Sequence, residues 1–325
     1  MATSAISRIS DLSKAQLPKF KVRFLVRRVI AGIVTLLVVT VLVFGLSRIQ
    51  GDPRSLLISE DASLEQWDEL GRQLGLDQPA YRQYLLYMAR LVRGDLGDST
   101  LQRRPVADIL WSRIPNSALL AGAAFAFAIL VGVPLGVLSA VKRGSFWDRG
   151  VRSFAVLGQA MPVFWVALLL IYIFAVGLEW LPASRNTGWT SVILPAITLG
   201  WFGASGQVRI LRSSMLDVLD SEYVRLARAK GASGRAVIWK HAFRNALFGP
   251  ITFAALTLAS LVTGSIVVET VFAWPGLGLL AVQAVSNSDY PILQGVILLT
   301  TFIFVFASLL VDALYMAIDP RVRIR

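Results

Sequence analysis

Six stretches free of any charged side chain limit what this chain can fold into. They lie between Arg28 and Arg48 (19 residues), Arg113 and Lys142 (28), Arg152 and Glu179 (26), Arg185 and Arg209 (23), Arg244 and Glu269 (24), and Asp289 and Asp312 (22). A helix rises about 1.5 Å per residue, so roughly 20 residues cross a hydrocarbon layer about 30 Å thick. Lipid offers backbone amides no partner, so each crossing must be helical. The expectation is an all-α, polytopic membrane protein with six transmembrane helices. The fourth stretch is the shortest in usable length, because Asn186, Thr187, Gly188 and Pro195 interrupt it.

Composition agrees and narrows the chemistry. Only 16% of residues are charged, against about 25% in soluble chains. Cysteine is absent, which removes thiolate catalysis, zinc fingers and iron–sulfur clusters. A single histidine, His241, leaves no histidine metal site or Ser–His relay. An enzyme is not expected, nor a cofactor.

The charges between the stretches set an orientation. Residues 1–28 carry seven Lys/Arg against one acid, 142–152 four against one, 209–244 eight against three, and the tail after Asp312 three against one. These segments alternate with 48–113, 179–185 and the loop from Glu269 to Asp289, which together are net negative. Basic loops stay inside, so both termini are expected to be cytoplasmic. The net charge of +12 is then a mark of topology, and no nucleic-acid partner is implied. The first apolar run is long enough to span and lacks an A-x-A cleavage site, so it reads as a retained helix and not a signal peptide. The expected organisation is a cytoplasmic segment 1–28, a first transmembrane helix 29–47, an extracytoplasmic helical region 48–114, a five-helix core 115–318 with a cytoplasmic loop 213–245, and a cytoplasmic tail 319–325.

The outer region has a helical pattern. Ser63 and Gln66 form a capping-box pair, Leu64, Trp67, Leu70 and Leu74 follow at helical spacing, and Gly75 supplies a stop. A second run places Tyr84, Leu85, Met88, Leu91 and Val92 on one face before Gly94. These helices either cover the mouth of the bundle or dock an extracytoplasmic partner.

The inner loop between the fourth and fifth stretches carries the most information. Ser221 can cap a short helix with Glu222 in its first turn, and Arg225, Arg228 and Lys230 crowd its later turns, where the dipole favours cations. Gly231 tolerates the left-handed backbone that ends a helix. Ser233 starts a second short helix leading through Val237 and Trp239 to His241. Such a helix–glycine–helix elbow is either a rigid knob or a basic surface lying on lipid headgroups.

Gly276-x-Gly278-x-x-Ala281 formally fits a dinucleotide fingerprint, but no strand precedes it. Asp312 reads as structural, snorkelling or paired with Arg209 or Arg212, in preference to an ion carrier. Gly132, Gly136, Gly200, Gly203 and Gly206 read as points of close helix approach.

The run Tyr223-Val224-Arg225-Leu226-Ala227-Arg228-Ala229-Lys230-Gly231, followed by His241-Ala242-Phe243-Arg244-Asn245-Ala246-Leu247, resembles the cytoplasmic coupling loop of ABC importer permeases. The branch it is most similar to is the dipeptide, oligopeptide and nickel branch of binding-protein-dependent permeases. Gly51-Asp52-Pro53, Leu74-Gly75-Leu76-Asp77-Gln78-Pro79, Gly94-Asp95-Leu96-Gly97 and Arg113-Ile114-Pro115-Asn116-Ser117 belong to the same ordered series. So do Glu269-Thr270-Val271-Phe272-Ala273-Trp274-Pro275-Gly276-Leu277-Gly278, Asp289-Tyr290-Pro291 and Asp319-Pro320-Arg321. The E-A-A-x3-G signature is partly kept, with Arg225 at the Glu position, Leu226 at the first Ala and Ala227 matching. Gly249-Pro250 sets its proline one place late.

The resemblance implies a type I (MetI-like) importer permease fold with an extracytoplasmic helical insertion after the first helix. It implies a bacterial or archaeal inner-membrane subunit that imports peptides, nickel chelates or another small solute. Its implied partners are a second homologous permease, cytoplasmic ATPase subunits and an extracytoplasmic binding protein, all at the lipid bilayer. Glu222, Tyr223, Val224, Arg225, Ala227, Arg228, Lys230, Gly231 and His241 would couple to the ATPase, with Val224 and Leu226 filling an apolar socket. Pro162, Ser260, Thr263, Ser265 and Glu269 would belong to the pore or gate. No Walker loop exists in the chain, so ATP hydrolysis would come from the partner. A self-sufficient channel or secondary transporter needs ionisable residues deep in several spans, which the stretches lack. A membrane hydrolase lacks paired carboxylates.

Overall fold

Proline is tolerated inside one long apolar helix of this protein and breaks another, and that contrast shapes the architecture. The computed structural model describes residues 26–46, 63–73, 77–184, 186, 188–263 and 265–318. The segments 1–25 and 319–325, Gly51-Asp52-Pro53, Leu74 to Leu76, Asp319-Pro320-Arg321 and the side chain of Thr263 lie outside the described residues.

In chain order, α1 (Val26–Leu46) is a straight apolar rod. Outside the bundle lie α2 (Leu64–Gln73) and α3 (Ala80–Val92). The Ser63–Gln66 capping box is present: the Ser63 amide donates to Gln66 Oε1 at 3.1 Å, and the Gln66 amide to Ser63 Oγ at 3.3 Å. α3 packs on α1 through the Thr40–Tyr84 hydroxyl pair at 2.8 Å and Phe44 edge-on to Tyr84. α4 (Val106–Val141) has 36 residues and contains both Pro115 and Pro134. At about 1.5 Å per residue it outruns the bilayer.

The third charge-free stretch is not one rod. α5 (Phe146–Ala160) and α6 (Val163–Leu170), the latter continued by a π-turn over Ile171–Gly177, meet at 113°. Met161, preceding Pro162, is extended at φ −80° and ψ 134°, as the proline ring demands of its predecessor. α7 (Ile193–Leu219) continues beyond Arg209 and Arg212, because charged side chains do not terminate a helix that has left the lipid. The segment Gly234–Ala246 joins Phe248–Leu261 at 55°. It comprises α9 (Gly234–Ala236), a π-turn Val237–Phe243 and α10 (Arg244–Ala246), after α8 (Glu222–Ala229). α11 (Phe248–Thr263), α12 (Ile266–Val271), α13 (Leu277–Ser286) and α14 (Tyr290–Ile318) complete the order. Among the described residues four helices are long and apolar enough to cross a membrane, and the count reaches the expected six when each bent pair is one span. Among the described residues there is no sheet, only an isolated Asp98–Pro105 bridge.

α7 is the hub, packed along α4 and against α5, α6 and α11. Its glycines make this possible. A Cβ on Gly132 of α4 would lie 2.8 Å from Gln207 Cβ, and one on Gly200 would strike the Ala124 carbonyl. Three buried clusters follow the bundle axis. Val106, Leu110, Leu280 and Ile292 form one end, Leu120, Leu194, Phe272 and Trp274 the middle, and Val137, Leu211, Met215 and Ala246 the basic end.

Candidate functional site

At the basic end α7 stops at Leu219, and Ser221 takes extended backbone (φ −73°, ψ 151°), so α8 leaves in a new direction. The expected side-chain cap is not made. The Ser221 hydroxyl donates back to the Val218 carbonyl at 2.5 Å, so it secures the end of α7 instead. Glu222 pairs with Arg225 at 2.8 Å, both well exposed. α8 closes with Gly231 at φ +83°. The Gly231 amide donates to Arg228 and the Ala232 amide to Ala227, which is the bonding of a helix ended by a left-handed residue. Ser233 Oγ then accepts the Ala236 amide at 3.3 Å and starts α9.

Val224 is fully buried within this chain, where α8 packs on the π-turn and the end of α7. It therefore cannot fill a partner's socket; it holds the knob against its own bundle. Leu226 keeps the expected open position at 55% exposure, and Tyr223 and Trp239 share the surface at 44% and 51%. Arg225, Arg228, Lys230, Arg235 and Lys240 are exposed around them, and Ala227 is half-buried. The His241 carbonyl accepts from Asn245 Nδ2 at 2.6 Å and from the Tyr223 hydroxyl at 3.4 Å. His241 thus ties the two arms of the elbow through its backbone. The chemistry of this surface is cationic and aromatic, suited to an acidic rim around an apolar hollow.

Behind the knob lies a node that the sequence reading did not single out. Asp148, 1% exposed, accepts from Arg212 Nε at 3.0 Å and Nη2 at 3.1 Å, from Ser139 Oγ at 2.5 Å and from the Gly144 amide at 2.9 Å. Arg152 approaches at 3.6 Å. Arg212 Nε also reaches Ser139 Oγ at 3.0 Å, so α4, α5 and α7 meet there. A local signal existed: Ser145 caps α5 by accepting the Asp148 amide, a Ser-x-x-Asp helix start. Arg212 is consequently unavailable to Asp312, which pairs with Arg28 of α1 at 3.2 Å. That corrects the pairing expected with Arg209 or Arg212.

At the opposite end Glu269, fully buried, accepts at Oε1 from Ser117 (2.8 Å) and Ser265 (2.7 Å). At Oε2 it accepts from the amides of Gly278 (2.7 Å) and Leu279 (3.1 Å). It thus caps the positive N-terminus of α13 and joins it to α4 through Ser117. A Cβ on Gly276 would collide with the carboxylate. Trp274 Nε1 donates to the Asn116 carbonyl at 2.9 Å, closing the turn. Of the residues expected at a pore, Glu269 and Ser265 therefore sit together in this buried clamp. Ser260 bonds the Thr257 carbonyl at 2.8 Å on α11, and Pro162 is exposed at the α5–α6 bend. The structure does not gather them into one site. Among the described residues no cluster of ligands could hold a metal ion.

Two family models match. Residues 132–324 match the binding-protein-dependent transport system inner membrane component, and residues 21–121 the N-terminal part of such membrane components. The chain belongs to the inner-membrane components of binding-protein-dependent transport systems. This permease is 42% identical over 301 residues to the glutathione transport system permease protein GsiC of Escherichia coli O6:H1, covering 92% of this chain and 98% of that one. To GsiC of Shigella flexneri serotype 5b it is 41% identical over the same length. A chain of the MetNI methionine ABC transporter in an inward-facing conformation superposes with TM-score 0.56 at 19% identity, covering 65% of this chain and 96% of that one. An amino acid ABC transporter superposes at TM-score 0.54, 13% identity, 65% and 94% coverage. The permease is thus a multi-pass inner-membrane component of an ABC importer with a MetI-like helical fold, and its relatives are transport subunits.

Proposed function

We propose that this permease forms half of an ATP-driven import path for short peptides of the glutathione, dipeptide or oligopeptide class. The observation that carries the peptide reading is the match to glutathione permeases along nearly the whole of both chains. A second homologous permease completes the path, a binding protein delivers solute to the outer face at 48–114, and a separate ATPase hydrolyses ATP. Both termini lie in the cytoplasm, a placement supported by the excess of Lys and Arg in 1–28, 142–152, 209–244 and the tail.

The knob over 221–233 docks on the ATPase. Its stiffness supports this role: the buried Val224 and the Tyr223–His241 bond leave little slack between α8 and the bundle. Tyr223, Leu226 and Trp239 make the apolar contact while Arg225, Arg228 and Lys230 meet an acidic rim. The five-helix core 115–318 carries the path.

The test is uptake in proteoliposomes holding both permeases and the ATPase, with binding protein added. Labelled glutathione and a dipeptide should accumulate only with ATP and binding protein present. Accumulation of a nickel chelate instead selects the alternative cargo, and uptake without nucleotide overturns the reading in favour of a channel. Substituting Gly231→Val, at φ +83° with open space around it, should leave the complex assembled but hydrolysing ATP without uptake.

A further inference from the structure

We infer that Arg212 and Asp148 form the rigid joint that carries displacement of the knob into α5, and so to the bend at Met161–Pro162. The inference rests on the knob reading above but concerns residues outside the knob.

Arg212 stands eight residues before Asp220, about 12 Å along α7 from the root of α8. A push on α8 reaches α7 first, through the buried Val224 and the packing of α8 on its end. To reach α5 it must cross between helices. Elsewhere along the α5–α7 interface Phe154 stacks on Trp201 with ring centroids 5.5 Å apart. Apolar contacts are non-directional and let helices slide. The guanidinium–carboxylate pair is different: two parallel bonds of 3.0 and 3.1 Å fix distance and angle together. The carboxylate is 1% exposed and also holds the Gly144 amide in the turn before α5. Ser139 ties the same atoms to α4, which lies against α7 along its length.

Beyond the joint the pliant point is the end of α5. Pro162 has no N–H, so it cannot take up the Gly158 carbonyl four residues earlier. Gly158 itself lies against Trp201 Nε1 and Ser205 Oγ, two buried donors without partners among the described residues. α5 therefore moves with α7, and the angle to α6 absorbs the change. Arg212 and Asp148 are positioning residues; neither needs to touch solute.

The chain has no cysteine, so spin labels can be placed at Val156→Cys on α5 and Asp217→Cys on α7, both exposed. The label distance is measured by electron spin resonance in the assembled transporter, without nucleotide and with ATP and vanadate. With the joint intact the distance should stay constant between states and its distribution narrow. Arg212→Gln and Asp148→Asn should each broaden it and let it shift by several ångströms between states, with ATP hydrolysis retained. Ser139→Ala, which spares the α5–α7 pair, should leave it narrow. An unchanged narrow distance in both joint variants overturns the inference. The Gly231→Val variant separates the two readings. If it uncouples hydrolysis from uptake while the joint variants keep a fixed distance, the knob stands and the joint fails. If Gly231→Val leaves uptake unaffected, the knob reading itself fails.

Discussion

Asp148 and Glu269 are both buried carboxylates, at opposite ends of the bundle, and they are satisfied in opposite ways. Asp148 faces a guanidinium, so its charge is cancelled by a residue 64 positions away on another helix. Glu269 meets only neutral donors: two serine hydroxyls and two amides at the start of α13. A bidentate salt bridge ties two helices far apart in sequence and fixes their distance and angle together. A carboxylate held by backbone amides has its donors fixed by one turn, and it tolerates little movement. The difference teaches that one carboxylate closes a local turn onto α4, while the other locks the separate helices α5 and α7 together.

Four substitutions break or sharpen that comparison. Glu269→Ala should have the largest effect on stability, roughly 3–5 kcal/mol, since several buried donors lose their acceptor together. A fall in the unfolding temperature of the detergent-solubilised complex measures it, and Glu269→Gln should recover part of the loss. Asp148→Asn should cost about 3 kcal/mol by leaving the Arg212 charge uncompensated. Its signature is uptake falling more than ATPase activity, unlike Glu269→Ala, which should lower both in proportion to the folded fraction. Gly231→Val should cost about 1–2 kcal/mol, the penalty of a left-handed backbone for a residue with Cβ. Its readout is the number of ATP molecules hydrolysed per solute imported, which should rise. Arg28→Gln should change the unfolding temperature least, by less than about 1 kcal/mol equivalent, because the Arg28 side chain is half-exposed beside Asp312.

Much of the fold could be read from local pattern. The charge-free stretches marked the long apolar helices and the two bent pairs, and the Ser63–Gln66 pair marked the start of α2, because hydropathy and capping act over a few residues. Pro162 announced a break but not its size. Pro115 and Pro134 carry the same signal and sit inside an unbroken α4, so neighbours decide what a proline does. The knob was legible at Gly231 and Ser233, whose roles are set by their own backbone. Val224 was not, because its apolar side chain looks the same whether it fills a partner's hollow or its own. Glu269 was expected at the pore or gate. Its actual partners, Ser117 and the amides of α13, are brought together only by packing.

The sequence by itself determined where this protein lives and what it is made of. Transfer of a side chain into lipid has a cost that each residue carries with it, so membrane residence and helix follow from composition along the chain. Tertiary structure decided which charges meet. Arg212 belongs to Asp148 and Asp312 to Arg28 because helix packing brings those groups within contact distance, and sequence separation does not predict that distance.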